Sequence, residues 1–112
     1  MIFFKENVKI PVMSGTLAYI FYRLEIFHST KMSPQPDDIV ITSVNDGAHM
    51  AGSKHYKNQA VDIRSKNFMS NADKHLFCAR LGNWLGETYT VLFENVGLDN
   101  EHFHVQLKKG LR

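Results

Sequence analysis

The sequence predicts an α+β domain in which two helices pack on a small, mainly antiparallel sheet. Two stretches carry apolar residues at helical spacing, and four shorter stretches have the composition or the alternating pattern of strands. The predicted order is helix, strand, strand, helix, strand, strand, with the last two strands paired antiparallel. With 112 residues, of which 44% are hydrophobic, the chain can form one core but not two, so we expect residues 1–112 to be a single domain.

The first helix is predicted to begin at Ser14, whose hydroxyl can accept a hydrogen bond from a backbone N–H of the first turn. It should end before Pro34, and the apolar stripe along it should face the core. That stripe consists of Leu17, Ile20, Phe21, Leu24 and Phe27. The first strand is predicted at residues 38–42, before a turn at residues 45–47.

The second strand is predicted at residues 60–64, where apolar and polar positions alternate. The second helix should begin at Ser70 and end near Gly86. Its buried stripe is expected to contain Phe77, Leu81, Trp84 and Leu85. Residues 89–93 and 102–107 complete the predicted sheet.

Charge and hydropathy exclude two classes of partner. The formal net charge of +2 gives no basic footprint for nucleic acid. The apolar stretch 17–27 contains Arg23 and Glu25 and is shorter than the roughly 20 residues that span a bilayer, so no membrane partner is expected. Lys5 interrupts the apolar start of the chain, which disfavours a secretory signal and predicts synthesis in the cytosol. We expect a monomer.

The last predicted strand carries two histidines on one face. Its core-facing positions are Phe103, Val105 and Leu107, and they alternate with His102, His104 and Gln106. Packing of such a strand would hold His104 rigidly, as a metal ligand requires. Glu101 comes directly before the strand and after the turn-like residues 97–100, so its carboxylate could approach a metal without being a ligand. That position suits a general base.

A second group of metal-binding side chains lies earlier in the chain. The predicted strand at residues 60–64 should point Asp62 away from the core, and His55 lies seven residues before it in an irregular polar stretch. Three protein ligands leave a fourth zinc position for water, whose pKa falls to roughly 7 when it is so bound. Cys78 is the only cysteine, which excludes a thiolate-rich zinc site.

The spacing of these residues resembles the zinc D-alanyl-D-alanine carboxypeptidase and dipeptidase family, which includes phage endolysins and shares a fold with the hedgehog signalling domain. The pattern is Ser-x-His, then Ala-x-Asp, then Glu-x-x-His, and the resemblance covers roughly residues 39–107. It implies a hedgehog/DD-peptidase-like fold. For the site it implies zinc ligands at His55, Asp62 and His104, Glu101 as catalytic base, substrate contact by Ser53 and an active-site role for His102.

The resemblance implies a zinc peptidase that hydrolyses peptidoglycan stem peptides or other short peptides containing D-residues. Glu101 would take a proton from the attacking water and deliver it to the leaving amine, while His102 would stabilise the oxyanion. Such an enzyme would reach the cell wall by holin-type release or as a virion component. Action on free wall peptides in the cytosol is the other expectation.

Two departures from the family pattern leave a second function open. Asn58 replaces a glycine of the pattern, and residues 42–49 lack the arginine with which many members bind the substrate carboxylate. His49, Lys54 and Arg64 are the candidates for that missing group. The alternative is a zinc-stabilised binding or virion-structural module of the same fold without turnover. A metal nuclease is disfavoured by the mild charge.

The other candidate side chains are expected to have ordinary roles. His28 and His75 lie on predicted helices away from the motif and should be structural or solvated. Cys78 should be a small buried hydrophobe. Glu94 follows the apolar run 91–93 and is either a neighbour of the metal site or an ordinary strand-end acid.

Overall fold

A computed structural model of the chain describes residues 1–10, 13–44 and 59–108. In these residues two helices pack on a five-stranded, mostly antiparallel sheet, which confirms the predicted α+β class. The helices are α1 (Gly15–Ser29) and α2 (Asn71–Leu85), and the strands are β1 (Ile2–Phe4), β2 (Ile39–Ser43), β3 (Ala60–Arg64), β4 (Tyr89–Glu94) and β5 (His102–Leu107). Of the helices in these ranges, neither combines the length and the apolar character that a membrane crossing requires.

The order of strands in the sheet is β1-β2-β3-β5-β4. β1 runs parallel to β2, and every other neighbouring pair is antiparallel. Strand β5 therefore lies between β3 and β4 and is hydrogen-bonded on both sides. This pairing sets Asp62 of β3 directly opposite His104 of β5.

Strand β1 is not predicted by the sequence. It has only three residues, which are too few to show an alternating pattern. What defines it is its pairing with β2, in which Ile2 lies opposite Ile39. Such a contact between distant parts of the chain depends on tertiary packing, because β-propensity alone is a weak guide.

The predicted helix boundaries are confirmed at the level of single hydrogen bonds. The Ser14 hydroxyl accepts from the backbone N–H of Leu17 at 3.1 Å, and the Ser70 hydroxyl accepts from that of Asp73 at 3.1 Å. Helix α2 ends at Gly86, whose φ of 88° is a conformation that glycine adopts without steric strain.

The core lies between the helices and one face of the sheet. Its strand residues include Val61, Ile63, Phe103 and Val105, all fully buried. Phe103 packs against Phe77 of α2 with ring centroids 4.9 Å apart, and Phe68 contacts both rings at 5.1 and 4.8 Å. These contacts fix β5 against α2, and they leave the alternate side chains of β5 on the opposite face of the sheet.

Substitution of Leu81 by alanine should destabilise the fold, because this α2 side chain is fully buried in the core. We expect the free energy of unfolding, measured by urea denaturation, to fall by about 2–5 kcal/mol. The matched control is Leu98→Ala, since Leu98 is 59% exposed and its loss should change stability by only about 0.5 kcal/mol. Equal effects of the two substitutions would contradict this description of the core.

Candidate metal centre

Three side chains that can bind a metal ion meet on the sheet face opposite the core. They are Asp62 of β3 and His102 and His104 of β5, and one donor atom from each lies within 4.8 Å of the others. Strand pairing places Asp62 opposite His104, and His102 shares their face because it is two residues from His104. Within the described residues no other group of three or more His, Cys, Asp or Glu side chains meets this distance.

The Asp62 carboxylate lies between the two imidazoles. Its Oδ1 is 2.9 Å from Nδ1 of His104 and 3.7 Å from Nε2 of His102. Two ligand atoms of a tetrahedral ion, each about 2.1 Å from the metal, are separated by about 3.4 Å. These two separations lie on either side of that value, and all three donor atoms lie within 4.8 Å of one another, so the three side chains could hold an ion if they drew together around it.

The bonding of His102 directs one ring nitrogen towards two carboxylates, where it can bind a cation. Its Nδ1 is 2.6 Å from the carbonyl oxygen of Asn100, and because a carbonyl only accepts, Nδ1 must be the donor. Its Nε2 faces two carboxylates, Oε1 of Glu94 at 3.0 Å and Oδ1 of Asp62 at 3.7 Å. That arrangement is favourable when Nε2 carries a proton or binds a metal ion.

His104 makes the same two kinds of contact as His102, with the roles of Nδ1 and Nε2 exchanged. Its Nε2 donates to the side-chain oxygen of Gln106 at 2.7 Å, and its Nδ1 faces Asp62. Burial by itself lowers the pKa of His104, but hydrogen bonds to Asp62 and Gln106 and the charges of Asp62 and Glu94 outweigh burial and raise that pKa. A metal ion at the centre would displace the proton from Nδ1.

The donor set therefore fits a divalent transition-metal ion. Divalent transition-metal ions commonly bind imidazole and carboxylate groups. Each imidazole is oriented by a hydrogen bond that its other nitrogen donates, as metal-binding histidines usually are. The side chains of Asp62 and His104 are each 11% exposed and that of His102 is 19% exposed, so an ion there would be mostly shielded from solvent.

Two of the three ligands predicted from the sequence lie in this centre. Asp62 and His104 are brought together, whereas His55 lies outside the described residues. Of the predicted substrate contacts, Ser53 and His49 also lie outside the described residues. Arg64 is paired with His102 across β3 and β5, so it lies on the same face of the sheet as the centre.

His102 belongs to the cluster, although the resemblance implies a different active-site role for it, stabilisation of an oxyanion. In the structure it is one of the three clustered side chains, and its Nε2 lies 3.7 Å from Oδ1 of Asp62. The signal for this was present in the sequence, because the two histidines of a His-x-His pair in a strand necessarily share a face.

Glu101, the predicted base, faces α2 on the core side of the sheet. Its Oε1 accepts hydrogen bonds from the Ser65 hydroxyl at 2.6 Å and the Lys74 ammonium at 2.7 Å, and its Oε2 accepts from the Gly97 N–H at 2.8 Å. Burial alone would raise the pKa of Glu101, but these bonds and the charge of Lys74 lower it to about 2. Both carboxylate oxygens of Glu101 therefore bond to groups outside the metal centre. The catalytic role of Glu101 stays a prediction.

The remaining candidates have structural surroundings. His28 is buried, and its ring nitrogens bond the Met1 ammonium and the carbonyl oxygen of Pro36, each at 3.0 Å. His75 is exposed on α2. Burial raises the pKa of the Cys78 thiol, which disfavours the reactive thiolate and agrees with the expected packing role.

No protein-family model, curated protein or solved structure matches this chain. The metal centre is therefore defined by its own geometry. The resemblance to the zinc D-alanyl-D-alanine carboxypeptidase and dipeptidase family stays a prediction from the motif.

Removal of a clustered side chain should abolish tight metal binding. We expect the wild-type chain to bind about one Zn²⁺ in isothermal titration calorimetry, and Asp62→Asn and His104→Ala to bind it roughly 100-fold more weakly or worse. Asp38→Asn and His75→Ala are matched controls, because both residues are exposed and neither belongs to the cluster. Wild-type affinity in Asp62→Asn would show that the cluster is not the metal site.

The Glu101 carboxylate should make stability depend on acid pH. Because folding lowers its pKa from 4.5 to about 2, ionised Glu101 stabilises the fold fully above pH 4.5, and this contribution is lost as the pH falls towards 2. In metal-free protein with EDTA, Glu101→Gln should lower the free energy of unfolding at pH 7 by roughly 1–3 kcal/mol. The variant should also show a shallower decline in stability below pH 4.5.

The control for that measurement is Glu87→Gln, which removes an exposed carboxylate before β4. Its stability should follow the wild-type pH profile. Parallel profiles for wild type and Glu101→Gln would contradict the assigned network.

Proposed function

We propose that this protein is a zinc-dependent peptidase that hydrolyses peptidoglycan stem peptides or other short peptides containing D-residues. The observation that carries the proposal is the pairing of Asp62 with His104, two predicted ligands whose donor atoms lie 2.9 Å apart on neighbouring strands. Catalytic zinc sites use three protein ligands of this kind and keep a further position for water or substrate. The substrate class comes from the motif and its resemblance to wall peptidases.

In this proposal Asp62 and His104 hold the zinc ion, and the third protein ligand is His55 or His102. When bound, zinc polarises the scissile carbonyl and lowers the pKa of a coordinated water to about 7. Gln106 fixes the orientation of the His104 ring through the hydrogen bond that its side-chain oxygen accepts from Nε2. If His55 completes the ligand set, Nε2 of His102 remains beside the centre and can donate a hydrogen bond to the oxyanion of the substrate.

Peptide hydrolysis also needs a group that takes a proton from the attacking water and returns it to the leaving amine. Glu101 is the residue proposed for this role from the sequence motif. To perform it, the carboxylate would have to leave Lys74 and Gly97 and turn from the α2 side of the sheet towards the face that carries the metal centre. Binding of a substrate is the event that could drive such an exchange.

The hydrogen bonds of Glu101 favour a second candidate function, a zinc-stabilised binding or virion-structural module without turnover. A carboxyl group with a pKa of about 2 has little affinity for a proton at neutral pH. In this alternative the ion pair of Glu101 with Lys74 serves the fold, and the metal stabilises the sheet by linking β3 to β5.

Incubation of zinc-loaded protein with purified sacculi, followed by mass spectrometry of the released fragments, tests the proposal. We expect new peptide termini with wild type and with the control Glu87→Gln, and their rate of appearance should fall by roughly 100-fold or more in Asp62→Asn and Glu101→Gln. The termini would also identify the cleaved bond.

Two outcomes would change the assignment. Undiminished cleavage by Glu101→Gln would remove Glu101 as the base. No cleavage of several wall chemotypes, with zinc bound at one ion per chain, would favour the binding module over the peptidase.

A further inference from the structure

We propose that Glu94 is a fourth protein ligand of the metal centre, so that the centre is carried by the three adjacent strands β3, β5 and β4. This inference deepens the proposed function by defining its metal site, and it rests on metal binding at that site. It does not depend on peptidase activity.

The position of Glu94 follows from strand register. It is the last residue of β4 and lies opposite His102 of β5, as Asp62 of β3 lies opposite His104. Its Oε1 is 3.0 Å from Nε2 of His102, which is closer than Oδ1 of Asp62 at 3.7 Å. One potential ligand nitrogen is therefore flanked by carboxylates from both neighbouring strands.

The Glu94 side chain is exposed enough to change its rotamer. It is 41% exposed, compared with 11% for Asp62. Glu94 is not among the side chains whose donor atoms all lie within 4.8 Å of one another, and its contact with the cluster is through His102. Rotation about its side-chain torsions would turn the carboxylate from that contact towards an ion bound between His102 and Asp62.

The charges and lone pairs of the four side chains match one divalent cation. Each imidazole already uses one nitrogen as a donor, to Asn100 in one case and to Gln106 in the other. The other two nitrogens face carboxylates and need a proton or a metal ion. Two ionised carboxylates and two neutral imidazoles carry a charge of about −2, which a single divalent ion neutralises.

The resulting donor set of two imidazoles and two carboxylates supplies four protein ligands without any residue from segment 45–58. Zinc accepts nitrogen and carboxylate oxygen in such sets, and it can expand to five ligands when water or substrate joins. Four protein ligands are typical of a structural zinc site, so a peptidase with this set would need a fifth coordination position for water, whereas the module without turnover would not.

Metal titration of Glu94→Gln tests the inference, because glutamine can still accept a hydrogen bond from His102 but is a poor metal ligand. We expect zinc affinity, measured by calorimetry, to fall 10- to 100-fold, and the visible absorption spectrum of the Co²⁺-loaded protein to change. Glu87→Gln is the matched control and should bind both ions as wild type does. Urea denaturation in EDTA checks that each variant is folded.

Wild-type zinc affinity in Glu94→Gln would overturn the inference. So would a weakened affinity with an unchanged Co²⁺ spectrum, because Glu94 would then act on His102 through its charge and not as a ligand. Both readouts are taken without substrate. A wild-type protein that binds metal but cleaves no sacculi would therefore count against the peptidase proposal and leave this result standing.

Discussion

The pairing of β3 with β5 is the interaction on which the rest of this structure depends. It joins the two halves of the chain at the centre of the sheet and sets Asp62 opposite His104. The same two strands supply core residues on one face and the candidate metal ligands on the other, because side chains alternate along a strand. A shift of one residue in register would exchange the two faces, so burial of the core also enforces the geometry of the site.

The core and the candidate metal ligands lie on opposite faces of the sheet. The two acidic residues near β5 also face different sides, and their charges are compensated differently. Asp62 faces the imidazoles, where a cation can compensate its charge. Glu101 faces the helices, where the Lys74 ammonium and two neutral donors compensate its charge within the protein. Each buried carboxylate thus has partners, as burial of a charge requires. The two carboxylates have different partners even though the sequence motif links them.

The alternation of apolar and polar residues in strands and the serine caps of helices predicted most of the fold, because both are local sequence features. The pattern around Phe103 and Val105 gave the buried face of β5, and Ser14 and Ser70 marked the helix starts. Strand β1 was missed, since its three residues are defined only by contact with β2.

The site was predicted less completely, for the same reason. Asp62 and His104, which the motif links, are neighbours in the structure, but the motif could not show that Glu101 would meet Lys74, 27 residues away, or that Glu94 would lie opposite His102. Those contacts depend on strand register and on helix placement. Neither can be obtained from the spacing of residues within one segment.

The contact between Asp62 and His104 joins positions 42 residues apart in a chain that has one cysteine and so can form no internal disulfide. An ion held by both side chains would act as a reversible cross-link that closes this loop. For a disulfide enclosing a loop of that length, the chain-entropy model gives about 4 kcal/mol of stabilisation. The availability of metal would then set the stability of the pairing between β3 and β5. A chelator would lower that stability, as a reducing agent lowers the stability of a disulfide-linked protein.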